Sequence, residues 1–131
     1  MLKNYKFAIL YFCWMVFITY LSLGSVPDTT GGININIPHF DKLVHFTFYL
    51  VSTILGGFFL NELRREKTVL LKATFIMMIV AVVYGMVVEV LQYNFTTDRH
   101  GDVLDFLANS IGAISGFVAM KYLILGVLSQ K

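Results

Sequence analysis

The stretch Leu70–Tyr93 reads LLKATFIMMIVAVVYGMVVEVLQY. Its ionisable side chains are Lys72 at one end, Glu89 near the other, and the two tyrosines Tyr84 and Tyr93. About 20 predominantly apolar residues cross a hydrocarbon core of about 30 Å as a helix. Lipid offers backbone N–H and C=O groups no partners, so such a segment must be helical. Working outward, three further stretches have the same character: Phe7–Leu23, Leu43–Leu60 and Val103–Leu125. The expected fold is all-α, an integral membrane bundle of four transmembrane helices. The expected domain organisation is one domain over residues 1–131.

Composition agrees. The chain is 57% hydrophobic and 14% charged, with a mean hydropathy of +0.74. A soluble domain is nearer about 45–50% apolar and about 25% charged. A net charge of +2 without a basic run excludes a nucleic-acid partner. The single cysteine, Cys13, has no internal disulfide partner and is expected to be a small buried apolar residue. No cofactor is expected.

The first stretch has a second reading. Lys3 and Lys6 precede it, and Ser22-Leu23-Gly24 resembles a signal-peptide cleavage site. Its apolar run exceeds the roughly 7–15 residues of a signal-peptide core, so a retained helix is expected.

Lysine and arginine set the expected orientation. Lys3, Lys6, Arg64, Arg65, Lys67, Lys72, Lys121 and Lys131 would share one side, which the positive-inside rule assigns to the cytoplasm. Both termini are then cytoplasmic, and Lys42 and Arg99 face outward. Between Pro27 and Pro38, Ile33-Asn34-Ile35-Asn36-Ile37 alternates with period two. An extended segment over the bilayer or bundle fits that pattern, and so does an ordinary loop. The link NELRREKT between the second and third stretches reads as a solvated charged turn.

Helical spacing sorts the polar residues. The second helix carries His45, Tyr49, Ser52 and Gly56 on one face. The fourth carries Asp102, Asp105, Asn109, Gly112 and Gly116, and the third carries Ala81, Gly85, Glu89 and Gln92. Each face is polar toward the outer end and small toward the inner end. Small residues let helices approach closely. The expectation is three helices packed tightly in the inner half and splayed around a polar pocket in the outer half. The first helix has no polar stripe and is expected at the periphery, with Trp14 and its other aromatics making lipid or helix contacts.

Ionisable groups inside a bilayer are expensive and mark a site by default. The candidate ligand-binding residues are Asp41, Lys42, His45, Glu89, Gln92, Arg99, Asp102, Asp105 and Asn109. Simpler roles compete. Asp41 and Asp102 sit where helix N-caps belong, and Asp105 would complete a capping box with Asp102. His45 has Asp41 and Tyr49 one turn away. Gln92 and Asn109 suit interhelical hydrogen bonding. Glu89 needs a partner or a proton, and Arg99, Lys42 and His45 are the candidates.

Three segments carry a resemblance. They are Asp41-Lys42-Leu43-Val44-His45-Phe46, Glu89-Val90-Leu91-Gln92, and Arg99-His100-Gly101-Asp102-Val103-Leu104-Asp105 continuing through Asn109 to Gly112. In order and spacing they resemble the VanZ-like family, whose pattern is D-K-x-x-H, E-x-x-Q, then R-x-x-D-x-x-D-x-x-x-N-x-x-G. The resemblance implies a multi-pass protein of the bacterial cytoplasmic membrane and cell envelope. The family is named for a protein associated with resistance to the glycopeptide teicoplanin, and the resemblance implies no particular catalytic activity.

Three functions fit these residues. One is an outward pocket that binds a lipid headgroup, a lipid-linked cell-wall precursor or an envelope protein, with Arg99 and Lys42 available to a phosphate. Four carboxylates, Asp41, Glu89, Asp102 and Asp105, outnumber those two cations. The second is a membrane enzyme acting on a headgroup. It would use a metal on the weak ligand candidates Asp41, His45, Glu89 and Asp105, or acid–base chemistry by His45 and Glu89. No nucleophile is evident, since Ser110 lies one position off the polar face. The third is structural, a polar network that locks helices together. Binding is expected more than catalysis.

Overall fold

The computed structural model describes residues 5–24, 39–64, 70–96 and 102–130. Within them lie four α-helices: α1 (Lys6–Leu23), α2 (Phe40–Arg64), α3 (Leu70–Phe95) and α4 (Val103–Ser129). All four are long and apolar enough to cross a membrane. The alternating segment Ile33–Ile37 lies outside the described residues.

Two helices run longer than their apolar cores. α2 starts at Phe40 rather than Leu43 and ends at Arg64 rather than Leu60. Its extra turns carry Asp41, Lys42 and Glu62, which a hydropathy reading treats as flanks. α4 continues to Ser129. Asp41 is therefore in the first turn of α2, not ahead of it as a cap. His39, just before the helix, has a left-handed φ of 63°.

α2 is the hub. It packs against α4, α3 and α1, and α3 also packs against α4. Among the described residues α1 touches α2 and α3 but not α4. The buried faces are His45, Tyr49, Ser52, Thr53, Gly56 and Gly57 on α2, and Asn109, Gly112, Ala113, Gly116 and Met120 on α4. α3 contributes a face running from Ala73 to Gln92. The opposite faces are apolar and exposed, with Val83, Met86, Val87 and Val90 on α3 and Leu107, Ile111 and Ile114 on α4. Such a surface suits hydrocarbon rather than water.

Glycines set the closeness of the core. A Cβ on Gly112 would collide with the Phe46 carbonyl oxygen, and one on Gly116 would lie 2.6 Å from the Leu50 carbonyl oxygen. Both obstacles are α2 backbone, which cannot swing aside. The α2–α4 contact is thus backbone against backbone, the use to which small residues are put in membranes.

α1 is attached by rings and by polar links. Phe7 stacks on Phe58 at 4.9 Å and Tyr11 on Phe59 at 5.1 Å. The Trp14 indole N–H donates to the Phe48 carbonyl and Ser52 Oγ, both at 3.1 Å. Thr19 and Tyr84 hydroxyls are hydrogen-bonded. Glu62 of α2 accepts from the Ala8 N–H at 3.0 Å, an acidic group at the start of α1. The periphery is the expected place for α1, and its aromatics make the helix contacts that were one of their two expected roles; the polar links were not foreseen. Cys13 corrects a further expectation: it is exposed on α1 rather than buried.

Candidate functional site

The polar residues gather at the end of the bundle where α2 and α4 begin and α1 and α3 finish. The amino-terminal turn of α2 supplies Lys42. Its ammonium lies 2.7 Å from Asp41 Oδ2, 3.2 Å from Asp102 Oδ2 and 2.5 Å from Asp105 Oδ1. One turn deeper, His45 Nδ1 is 2.9 Å from Asn109 Oδ1. The Asn109 Nδ2 donates to Glu89 Oε1 at 3.3 Å, and the Asp102 backbone N–H donates to Glu89 Oε2 at 3.3 Å. His45 and Glu89 are also 3.7 Å apart. Asn109, fully buried, therefore bridges α2 and α3 from α4.

These geometries decide among the simpler roles. Asp102 caps α4, accepting from the Leu104 N–H at 3.0 Å. That bond, and then the Lys42 ammonium, hold its carboxyl below the usual carboxylate range. The capping box expected with Asp105 is not formed. Asp105 turns to Lys42, and Glu89 takes the Asp102 N–H instead. The reason is charge: an ammonium on α2 is a stronger partner for Asp105 than a neutral amide. His45 bonds neither Asp41 nor Tyr49. Lys42 serves the aspartates rather than Glu89. Arg99, the other cation expected here, lies outside the described residues.

Two cavities flank the network. The larger, about 510 Å³, is lined by Asp41, Lys42, His45, Gln92, Asp102 and Asp105. Leu21, Phe40, Val44 and Phe48 supply its apolar lining. The smaller, about 260 Å³, lies between α3 and α4 and reaches Glu89 and Asp102 among apolar neighbours such as Met86 and Phe106. Asp102 lines both cavities, and Glu89 lines the smaller one.

A family model described as VanZ/LLP1 matches residues 7–125, nearly all of the chain. The chain belongs to the VanZ/LLP1 family. No curated protein and no solved structure matches it. Together with four span-length helices, the family makes this a multi-pass membrane protein. The VanZ-like positions read in the sequence are, where described, those that converge in space: Asp41, Lys42, His45, Glu89, Gln92, Asp102, Asp105 and Asn109.

Of the four weak metal candidates, the VanZ/LLP1 fold brings three together. Donor atoms of His45, Glu89 and Asp105 lie within 4.8 Å of one another, and Asp41 stands apart on Lys42. An ion among those three would have to displace Lys42 from Asp105 and the Asn109 amide from between His45 and Glu89. Asp105 Oδ1, His45 Nδ1 and both Glu89 oxygens are already committed to protein partners. No candidate nucleophile joins them either, since Ser110 bonds the Phe106 carbonyl of its own helix at 2.9 Å.

Three contributors to this end of the VanZ/LLP1 bundle escaped sequence reasoning. Ser22 closes the far wall, and its carbonyl accepts from Gln92 Nε2 at 2.7 Å. Phe40 and Phe48 supply much of the apolar lining. None stands out in a sequence of this composition. The one usable signal was that Phe40 immediately precedes the Asp41-Lys42 pair.

Proposed function

We propose that this VanZ/LLP1 protein binds the headgroup of an envelope amphiphile in its larger polar cavity, on the outer side of the bacterial cytoplasmic membrane. The observation that carries the reading is the mixed lining. Five ionisable groups and Gln92 line the cavity together with Leu21, Phe40, Val44 and Phe48. A headgroup joined to a chain meets both demands at once, and about 300–1,000 Å³ is the usual size of a small-ligand site. A lipid or a lipid-linked cell-wall precursor is such a molecule. Binding suits the site better than catalysis, because no candidate nucleophile stands beside His45 and Glu89 and Ser110 bonds its own helix.

Mass spectrometry of lipid co-purifying with the protein tests this. Val44→Trp fills the cavity from its apolar lining without touching the ion network. The wild-type protein should retain a defined amphiphile and Val44→Trp should lose it while staying folded. Equal, non-selective lipid in both would end the proposal. Orientation is tested in a Cys13→Ser background: Thr97→Cys should react with an impermeant thiol reagent from outside, and Arg65→Cys should not. The connection to glycopeptides follows from the family's name. Deletion should change teicoplanin susceptibility, and complementation with Val44→Trp should fail to restore it.

A structural reading has its own observation. The His45–Asn109–Glu89 chain ties α2, α4 and α3 together below the cavity. If that is its whole role, Val44→Trp will complement fully.

A further inference from the structure

Among the described residues, the hydrogen-bonding capacity left in the larger cavity is weighted toward acceptors. An ammonium has three N–H donors and no acceptor. Lys42 meets three carboxylates, Asp41, Asp102 and Asp105, so every donor it owns is engaged. It has none left for a ligand phosphate. Its single positive charge meets three negative ones, leaving the described lining at −2 with His45 neutral.

The two buried side chains of this lining add acceptors. Gln92 is 3% exposed and lines the cavity. Its amide nitrogen gives one of its two hydrogens to the Ser22 carbonyl, and Oε1 is left as an open acceptor beside the second N–H. His45 is 8% exposed and also lines the cavity. Glu89 accepts from two donors, the Asn109 amide and the Asp102 N–H. That turns Asn109 Oδ1 toward His45, and Nδ1 of the imidazole must carry the hydrogen between them. In the neutral ring Nε2 is then a lone-pair acceptor. Neither Gln92 Oε1 nor His45 Nε2 has a partner among the described residues. Neither is among the buried unpartnered atoms, which are Thr53 Oγ1 and Asn61 Oδ1. Both open atoms are therefore reachable from the cavity.

We propose that the cavity takes a primary ammonium group carried on an amphiphile, held by His45 Nε2, Gln92 Oε1 and the Asp105 side of the carboxylate wall. This rests on the cavity being a ligand site. It adds that the headgroup is recognised through N–H donors and positive charge rather than through phosphate. An ammonium satisfies both open acceptors and offsets the wall's excess charge. An anionic headgroup would meet carboxylates and find Lys42 already engaged.

The test uses the full chain in detergent with short-chain lipids that differ only in the headgroup. Trp14, the sole tryptophan, is the reporter, since its indole bonds the Phe48 carbonyl and Phe48 lines the cavity. Phosphatidylethanolamine should bind in a saturable way. Phosphatidylcholine, with its charge kept but its N–H donors gone, should bind about tenfold more weakly. Phosphatidylglycerol should bind no better than phosphatidylcholine. Asp105→Asn should weaken phosphatidylethanolamine binding about tenfold, and Asp41→Asn, at an exposed position that spares the fold, about threefold.

Phosphatidylglycerol or a neutral glucosyl diacylglycerol binding as tightly as phosphatidylethanolamine would overturn the ammonium assignment and leave the cavity a headgroup site. So would competition by micromolar zinc alone, which would make this an inorganic cation site. No saturable binding of any of these lipids, with Val44→Trp indistinguishable from wild type, would remove the binding site itself.

Discussion

The two halves of the α2–α3–α4 core face one problem, an environment that tolerates no unmatched polarity, and answer it oppositely. At the end with Lys42, His45, Glu89, Asp102 and Asp105 the helices stand apart around a cavity, and ionisable groups there are held by ion pairs and hydrogen bonds to one another. Toward the other end, Gly56, Gly57, Gly112 and Gly116 strip the interface almost to backbone. The Thr74 hydroxyl there returns to the Leu70 carbonyl of its own helix. Charge and closeness exclude each other. A lysine needs room and partners, whereas a glycine contact leaves room for neither. Asn109 marks the junction: its side chain belongs to the ionic half, and the next turn of its helix, at Gly112, belongs to the close-packed half.

The sharpest way to break this contrast is Gly112→Ala. A single methyl meets the Phe46 backbone oxygen, and neither helix can yield without moving the other. We expect a loss of about 3 kcal/mol, at the upper end of overpacking costs, measured by reversible unfolding in mixed micelles. Gly126→Ala is the control, because nothing lies within 4 Å of its added carbon. It should be neutral or slightly stabilising. Equal effects at the two glycines would mean that backbone proximity does not hold this half together.

In the ionic half the matching substitution is Asn109→Leu, which keeps the branched shape at a somewhat larger volume and removes both bridges. His45 and Glu89 lose their shared partner, and about 2–3 kcal/mol should go with it. Glu89→Gln keeps an acceptor for the Asp102 N–H and should cost less than Asn109→Leu. If the two cost the same, the bridge is not what ties the helices.

Thr53 sharpens the comparison from the other side. It is fully buried in the close-packed half, and its Oγ1 has no hydrogen-bond partner. Thr53→Val should be neutral or stabilise by up to about 1 kcal/mol, since an unmatched hydroxyl is removed at constant shape. A clear destabilisation in the same unfolding assay would show that the hydroxyl has a role in this half.

The smallest effect concerns pH. Asp102 titrates below its ordinary range in the folded protein, first through the Leu104 N–H and then through Lys42. A depressed carboxylate contributes stability above its unfolded pKa and loses it as pH falls through the folded value. Asp102→Asn keeps the cap and drops the titration. Its unfolding midpoint should therefore fall less than wild type below about pH 4, where an unfolded aspartate begins to protonate. Parallel curves would remove the Asp102 contribution.

Much of this was legible in the sequence, and the misses share a cause. The four helices follow from apolar length alone. The three interior faces follow from helical spacing, because a polar residue in a bilayer must turn inward. Pairing between helices was less legible. Asp105 was read against Asp102, its neighbour in sequence, while its partner Lys42 comes from another helix. Sequence proximity ranks local partners first, and an ammonium held nearby by the fold outranks them. α1 was under-read for a different reason. Trp14, Thr19 and Tyr84 each carry one polar atom on a largely apolar body, so hydropathy counts the body and misses the atom. Arg99 and the Ile33–Ile37 segment lie outside the described residues.

The separation of α1 from α4 bears on how the protein is made. α4 is translated last and docks on α2 and α3 alone, so it must bring Asn109 to His45 and Glu89 after both are already in the bilayer. Until then those two groups stand without their shared bridge in the least forgiving solvent a cell has. A nascent chain arrested before α4 therefore lacks the one amide that joins His45 to Glu89, and insertion of the fourth helix is what completes the other three.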